Sequence, residues 1–326
     1  VGDTSIQWTN KTWNPIRARN KKTGAVGHYC ELDSSGCANC YSSTMQRRFG
    51  MPTFPGKGKP MPEDIEVFLD ERVLAQPLHW KKPAMIFPCS MTDLFGHWVS
   101  DTWLDQIFAV MALAKQHTFQ VLTKRAKRMS DYLTDYYRHQ HIHEAVKHRM
   151  GYDNPKRPAI NGSDLPFANI WTGFSAENQA TFDRRAADAS PLMRSGWLVW
   201  VSAEPLIGPI VMQGNYNGLH LNWLGKNGIR FVVCGGESGR NARPCELKWI
   251  RSLINQCKSV EGCAFFTKQL GAKASDEENG VAGRDLHGEF VDGRVSLRLA
   301  DGHGGNIEEW PLDLRIREFP EILQKS

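Results

Sequence analysis

The sequence predicts an α/β chain: a parallel (β/α) barrel of the triosephosphate-isomerase (TIM) type, partial (six units) to complete (eight units), with a small C-terminal β appendage. Three observations predict it. Strand-length apolar runs recur at Ile65–Leu69, Ala84–Pro88, Phe119–Leu122, Asn169–Phe174, Trp197–Val201, Phe231–Cys234 and Ala264–Phe266, and Ile6–Thr9 makes an eighth candidate. Most are separated by helix-like segments, and alternation of strand with amphipathic helix argues a parallel sheet covered by helices. No Gly-x-Gly-x-x-Gly follows the first candidate strand, so a doubly wound dinucleotide-binding sheet lacks its phosphate loop. Polar residues follow the strands closely: Ser90, Thr92 and Asp93; Thr123, Lys124 and Arg125; Ser175, Glu177 and Asn178; Ser202 and Glu204; Glu237 and Ser238; Lys268 and Gln269. In a parallel barrel these positions converge on the face where such barrels hold their sites. Taken singly, a Glu after a strand is more often a helix N-terminal charge favoured by the macrodipole.

In chain order, Thr4-Ser5-Ile6-Gln7-Trp8 reads as a short strand, ended near Pro15, which cannot donate to a ladder. The basic segment Arg17–His28 and the cysteine loop 28–41 follow. Tyr41–Phe49 suits a helix with Tyr41, Met45 and Arg48 or Phe49 on one side. Gly50–Pro62, with four prolines and three glycines, is a loop. Ser100 caps a helix whose Trp103, Leu104, Ile107, Phe108 and Met111 form one apolar stripe. Residues 138–166 interrupt the rhythm with Arg138, His139, His141, His143, Lys147, His148, Arg149, Lys156 and Arg157, and read as a basic surface loop that can touch a phosphate backbone. Asn215–Gly228 reads as a second loop. Residues 1–271 would form the barrel. Residues 272–326 would be an appendage, with a hairpin over Glu289–Leu299 around Asp292-Gly293 and a tie through Trp310–Phe319.

At 326 residues and 41% apolar composition the chain can bury a large core. No run of 18 apolar residues occurs and Val1-Gly2-Asp3 opens no signal pattern, so the expected location is cytoplasmic, with no membrane span. Residues 1–60 hold nine Lys/Arg against Asp3, Glu31 and Asp33, a local charge of +6 that favours a polyanionic partner.

Cys30, Cys37 and Cys40 are separated by six and then two residues, a spacing that suits metal ligands. Three thiolates can hold three irons of a 4Fe-4S cluster and leave the fourth iron open. They can equally hold zinc, with Asp33 or His28 as the fourth ligand. Cys89, Cys234 and Cys263 lie in apolar runs, while Cys245 and Cys257 are scattered, as reduced core thiols do.

Several blocks together resemble a radical S-adenosylmethionine-like family common in phages and prophages, distantly similar to spore photoproduct lyase. They are Thr4-Ser5-Ile6-Gln7-Trp8-Thr9, Trp13-Asn14-Pro15, Gly36-Cys37-Ala38-Asn39-Cys40-Tyr41 with Cys30 upstream, Ser90-Met91-Thr92-Asp93-Leu94-Phe95, Gln120-Val121-Leu122-Thr123-Lys124-Arg125, Ser202-Ala203-Glu204-Pro205-Leu206, Gly235-Gly236-Glu237-Ser238-Gly239 and Phe265-Phe266-Thr267-Lys268-Gln269. The resemblance implies a 4Fe-4S cluster on Cys30, Cys37 and Cys40, S-adenosyl-L-methionine on its open iron, an external one-electron reductant, and a 5′-deoxyadenosyl radical that takes hydrogen from substrate. It implies cofactor contacts at Ser90, Asp93, Lys124, Ser175, Asn178 and Tyr41, and catalytic roles for Glu204, Glu237 and Lys268. The first cysteine gap is longer than the three residues usual in such enzymes, and Asn39 stands where an aromatic is common.

The basic regions and the resemblance point to a nucleic-acid base as substrate, most plausibly a thymine-type base in DNA, modified or repaired, or to a nucleotide. Trp8, Trp13 or Trp171 could stack on an extruded base, although any single tryptophan is more often core. Two alternatives stay open: a non-enzymatic nucleic-acid-binding protein with structural zinc, and a barrel enzyme on a small phosphorylated metabolite with Lys124, Arg125 and Gly235-Gly236 at the phosphate.

Overall fold

The computed structural model describes residues 3–151, 154, 156, 160, 164–216, 219–277, 288–291, 294–321. Contacts divide the chain into two compact units, Val1–Gly173 with Asp188–Leu198, and Phe174–Ala187 with Val199–Leu323.

The first unit opens with β1 (Lys11–Trp13), β2 (Ile16–Asn20), β3 (Val26–Gly27) and α1 (Tyr41–Gln46). It continues through β4 (Ile65–Leu69), α2 (Glu71–Leu74), α3 (Gln76–His79), β5 (Met85–Pro88), α4 (Asp101–Leu113), β6 (Thr118–Thr123), α5 (Ala126–Leu133) and α6 (Arg138–Met150) to β7 (Ile170–Ser175). After α7 (Gln179–Arg194) come β8 (Leu198–Ala203), β9 (Gln213–Tyr216), β10 (Leu219–Asn222), β11 (Ile229–Gly235), β12 (Cys245–Glu246), α8 (Leu247–Lys258), β13 (Ala264–Gln269), β14 (Ala274–Glu277), β15 (Gly288–Val291) and β16 (Arg294–Leu297).

The main sheet has seven parallel strands in the order β1-β5-β6-β7-β8-β11-β13. They succeed one another in chain order with no reversal, whereas a doubly wound sheet changes direction at a switch point. This is the arrangement of a partial parallel barrel. Every residue of β7 and β8 is buried, as expected of strands covered on both faces. Ser100 caps α4, its hydroxyl accepting the Trp103 N–H at 3.2 Å, and Leu104, Ile107, Phe108 and Met111 are buried.

Several sequence expectations are corrected. The first strand is Lys11–Trp13, not Ile6–Thr9: Thr9 N–H bonds the Ile6 carbonyl in a turn, and Trp13 lies beside Pro88 in the parallel register. Ile65–Leu69 is a strand, but it pairs antiparallel with β2 in a separate sheet, β3-β2-β4. The basic segment is therefore partly strand. Ile16, Ala18 and Asn20 alternate inward while Arg17 and Arg19 point outward, the period of a half-buried strand. The Asn20 side chain accepts the N–H groups of Lys22 and Thr23, and Gly24 takes φ 73° to close the turn. Residues 138–150 are helix rather than loop, because Ile142 and Val146 bury one stripe. Asn215–Gly228 holds part of the β9–β10 hairpin.

In the second unit β14 joins β12, β16 and β15 in a four-stranded sheet. β15 and β16 pair antiparallel, Val291 opposite Arg294; Asp292-Gly293 lie outside the described residues. The tail adds to the edge of β13: Thr267 N–H bonds Ile316 O at 2.7 Å, and Glu318 N–H bonds Phe265 O at 2.9 Å. Phe319 packs on Phe231 and Phe266, and Trp310 is buried. An otherwise open edge is thereby covered. Among the described residues no helix is long and apolar enough to cross a membrane.

Candidate metal centre

The cysteine loop begins where β3 ends. A Cβ on Gly27 would lie 2.7 Å from Gln46 Oε1 and from the Met51 side chain, so only glycine lets the strand pass so close to α1. Gln46, fully buried, accepts the His28 N–H at 2.8 Å and donates to Ser42 O at 3.0 Å. Thr92 donates its hydroxyl to Tyr29 O, and the Tyr29 ring meets Trp98 edge-on at 5.0 Å. Glu31 accepts the Gly58 N–H at 2.7 Å, and Leu32 N–H bonds Pro55 O. The loop is thus fixed to α1, to the segment after β5 and to the 50–62 segment.

Within it, Ser35–Cys37 forms a 3-10 turn. Cys37 Sγ accepts the Asp33 N–H at 3.4 Å, and Cys40 N–H bonds Cys37 O at 3.1 Å. Cys40 is the residue before α1, and the amides of Ser43 and Ser42 point at its sulfur. Burial pushes the Cys30 and Cys40 thiols up. Cys30 also feels the charges of Asp93, Cys40 and Cys37, and Cys40 that of Cys37, so the three sulfurs share one local field. Arg125 offsets this at Cys30 and Lys124 at Cys40. Metal-free, the Cys30 and Cys40 thiols are protonated near neutral pH, so loading a metal there releases protons.

The surrounding frame is centred on Asp93. Its Oδ1 accepts Thr123 Oγ1 at 2.6 Å and Phe95 N–H at 3.0 Å; its Oδ2 accepts Lys124 N–H at 3.0 Å and Arg125 at 2.8 Å. Arg125 also donates to Glu31 O at 3.2 Å and lies over the Trp98 ring at 4.8 Å. Asp93 thus holds Thr123, Lys124 and Arg125 in place. Ser90 exchanges hydrogen bonds with Asn14 at 3.2 Å and 3.3 Å, and Tyr41 donates to Ser90 O at 2.7 Å. Tyr41, the residue after Cys40, thus links the cysteine loop to Ser90. Asn14, Glu31 and Arg125 belong to the same frame; the sequence left their partners hidden because these lie up to 94 positions away.

The second unit carries its own polar set. Glu204 pairs with Lys268 at 2.8 Å and accepts the Ser202 hydroxyl at 3.2 Å. Glu237 holds Arg243 through both oxygens, at 2.6 Å and 2.9 Å. Glu177 and Arg185 form a fully buried pair at 3.0 Å, and Arg185 also bonds Ser175 O at 2.8 Å. Asn178 caps α7, its Oδ1 accepting Thr181 N–H at 3.1 Å, so this side chain serves the helix.

Other expectations change. Trp8, Trp13 and Trp171 are buried, Trp13 donating to Val73 O at 2.8 Å, so none presents a face to a base. The cations of α6 are neutralised within the chain: Arg138 by Asp105 at 2.9 Å, Lys147 by Glu144 at 2.5 Å and Arg149 by Glu71 at 3.1 Å. Of the candidate fourth zinc ligands, Asp33 pairs through Oδ1 with Lys57 at 2.9 Å, and His28 Nδ1 bonds Ile16 O at 3.1 Å.

Among the described residues no group of three or more His, Cys, Asp or Glu side chains converges on a single ion-sized point. A tetrahedral zinc, at about 2.3 Å from each sulfur, needs them within roughly 4 Å of one another. A cubane takes one sulfur per iron. Three cysteine thiols in one fixed loop are soft donors of the kind either metal uses.

No curated protein and no solved structure matches the chain. Residues 3–295 match a family described as protein of unknown function, DUF5131, and the chain belongs to that family.

Proposed function

We propose that this chain is a radical S-adenosylmethionine enzyme that modifies or repairs a nucleic-acid base, a thymine-type base of phage DNA being the favoured substrate. The observation that carries the reading is the spacing of Cys30, Cys37 and Cys40 within one fixed loop, where Cys37 Sγ accepts the Asp33 N–H, Cys40 N–H bonds Cys37 O and Cys40 leads into α1. When bound, a 4Fe-4S cluster with S-adenosyl-L-methionine and an external one-electron reductant would supply a carbon radical able to take hydrogen from substrate.

The chain's own residues do the rest. Cys30, Cys37 and Cys40 hold the irons. Lys124, whose charge partly opposes the burial that raises the Cys40 thiol, offers a cation for a carboxylate, and Ser90 and Tyr41 offer polar contacts. Asp93 orients Arg125 and the Lys124 backbone. In the second unit Glu204 and Lys268 form an ion pair that can orient a polar substrate group, and Glu237 fixes Arg243. Closure toward the TIM type and a cytoplasmic location belong to the same proposal.

Anaerobic reconstitution with iron and sulfide tests it. The expected product is a brown protein with roughly four irons per chain, as a cubane requires. Cys37→Ala should lose the colour, and dithionite with S-adenosylmethionine should yield 5′-deoxyadenosine. A colourless protein holding one tight zinc ends the radical reading in favour of a structural site.

A further inference from the structure

From Tyr41 to Pro62 the chain holds four cations, Arg47, Arg48, Lys57 and Lys59, and no acidic residue. This segment adjoins the thiols: Cys40 precedes α1, and the loop beyond it bonds the cysteine loop at Leu32 and Glu31. Many cations of the unit are answered by carboxylates, as those of α6 and β2 are. Lys57 meets Asp33, but among the described residues Arg47, Arg48 and Lys59 have no acidic partner. All three are exposed, and beside them in the chain two aromatic rings face solvent, Tyr41 at 53% and Phe49 at 44%.

The segment is also tied in place. Met51 N–H bonds Gln46 O at 3.0 Å, and Phe54 N–H bonds Ser43 Oγ at 3.0 Å. Unanswered cations keep their full attraction for an external polyanion, and exposed rings supply stacking faces that any base can use. The buried tryptophans and neutralised α6 offer neither.

We propose that Arg47, Arg48 and Lys59, with Tyr41 and Phe49, form the docking surface for a single nucleic-acid strand, its phosphates on the cations and its bases on the rings. The inference deepens the proposed function and rests on it for the substrate class. A single strand is favoured over a duplex because paired bases withhold their faces from the rings. Strand binding itself needs no metal.

Fluorescence anisotropy with labelled thymine-containing 12-mers, as DNA, as RNA and as duplex DNA, is measured over several salt concentrations on metal-free and reconstituted protein. Arg47→Ala with Arg48→Ala should reduce the log K against log salt slope by about 1.4, which is roughly a 25-fold loss at 0.1 M salt. Phe49→Ala should cost roughly tenfold with the slope unchanged. Lys59→Ala, a single exposed change, should reduce the slope by about 0.7. His141→Ala with His148→Ala on α6 should change nothing, and thermal melts verify that each variant is folded.

Absent binding to the unsubstituted protein at 50 mM salt, tighter binding to the duplex, or full affinity in the folded arginine variant overturns the proposal. The preferred oligonucleotide decides between DNA and RNA. Loss of iron binding or of S-adenosylmethionine cleavage with strand binding intact removes the radical reading alone. The reverse removes this surface alone.

Discussion

Asp93→Ala should destabilise the first unit by about 3 kcal/mol, the lower end of the range for breaking a buried charged contact. The carboxylate is 6% exposed and its two oxygens take four hydrogen bonds, two from backbone N–H groups, one from Thr123 and one from Arg125. Truncation leaves all four donors short of an acceptor. The loss stays at the low end because Arg125 keeps the Glu31 carbonyl at 3.2 Å and the Trp98 ring. A loss of about 3 kcal/mol is roughly 150-fold in the folding equilibrium, and with a urea m-value of about 3 kcal/mol/M it moves the midpoint by about 1 M. Asp93→Asn should recover at most half, since whichever way the amide turns its NH2 faces two donors. The assay is urea unfolding of metal-free protein followed by tryptophan fluorescence. A midpoint unchanged or raised in Asp93→Ala would refute the positioning role.

Glu177→Gln should cost about 3–5 kcal/mol by stranding a buried guanidinium, whereas Glu177→Leu with Arg185→Met should come close to the unsubstituted stability in the same urea assay. Asn178→Ala should cost about 1 kcal/mol through the lost α7 cap, and should leave S-adenosylmethionine affinity in calorimetry unchanged. Burial holds His117 below the usual imidazole value, so the folded chain keeps it neutral where the unfolded chain gains a proton. Its contribution is complete above about pH 6.5 and falls as pH is lowered toward the depressed folded-state value. His117→Phe should flatten that part of the thermal-stability profile below pH 6.5.

Much of the scaffold was legible in the sequence because it depends on local pattern. Period and chain order alone determine that Thr118–Thr123 or Leu198–Ala203 is a strand and Asp101–Leu113 a helix, since strand and helix leave different apolar repeats. The cysteine spacing likewise marked Cys30, Cys37 and Cys40 before any coordinates. Ile65–Leu69 shows the limit: its apolar pattern says strand, but its antiparallel partner β2 is set by contacts between residues such as Asn20 and Ile65 or Ile16 and Leu69, far apart in the chain. The same holds for charge. Sequence made Arg47 and Arg149 equal, and only the tertiary structure brought Glu71 to Arg149 while leaving Arg47 facing water. It likewise made Asp93 a hydrogen-bond hub and placed Trp8, Trp13 and Trp171 in the core. Those outcomes depend on which groups long-range packing brings within a few ångströms, where a carboxylate decides whether a cation is free and a neighbour decides whether a ring is wet.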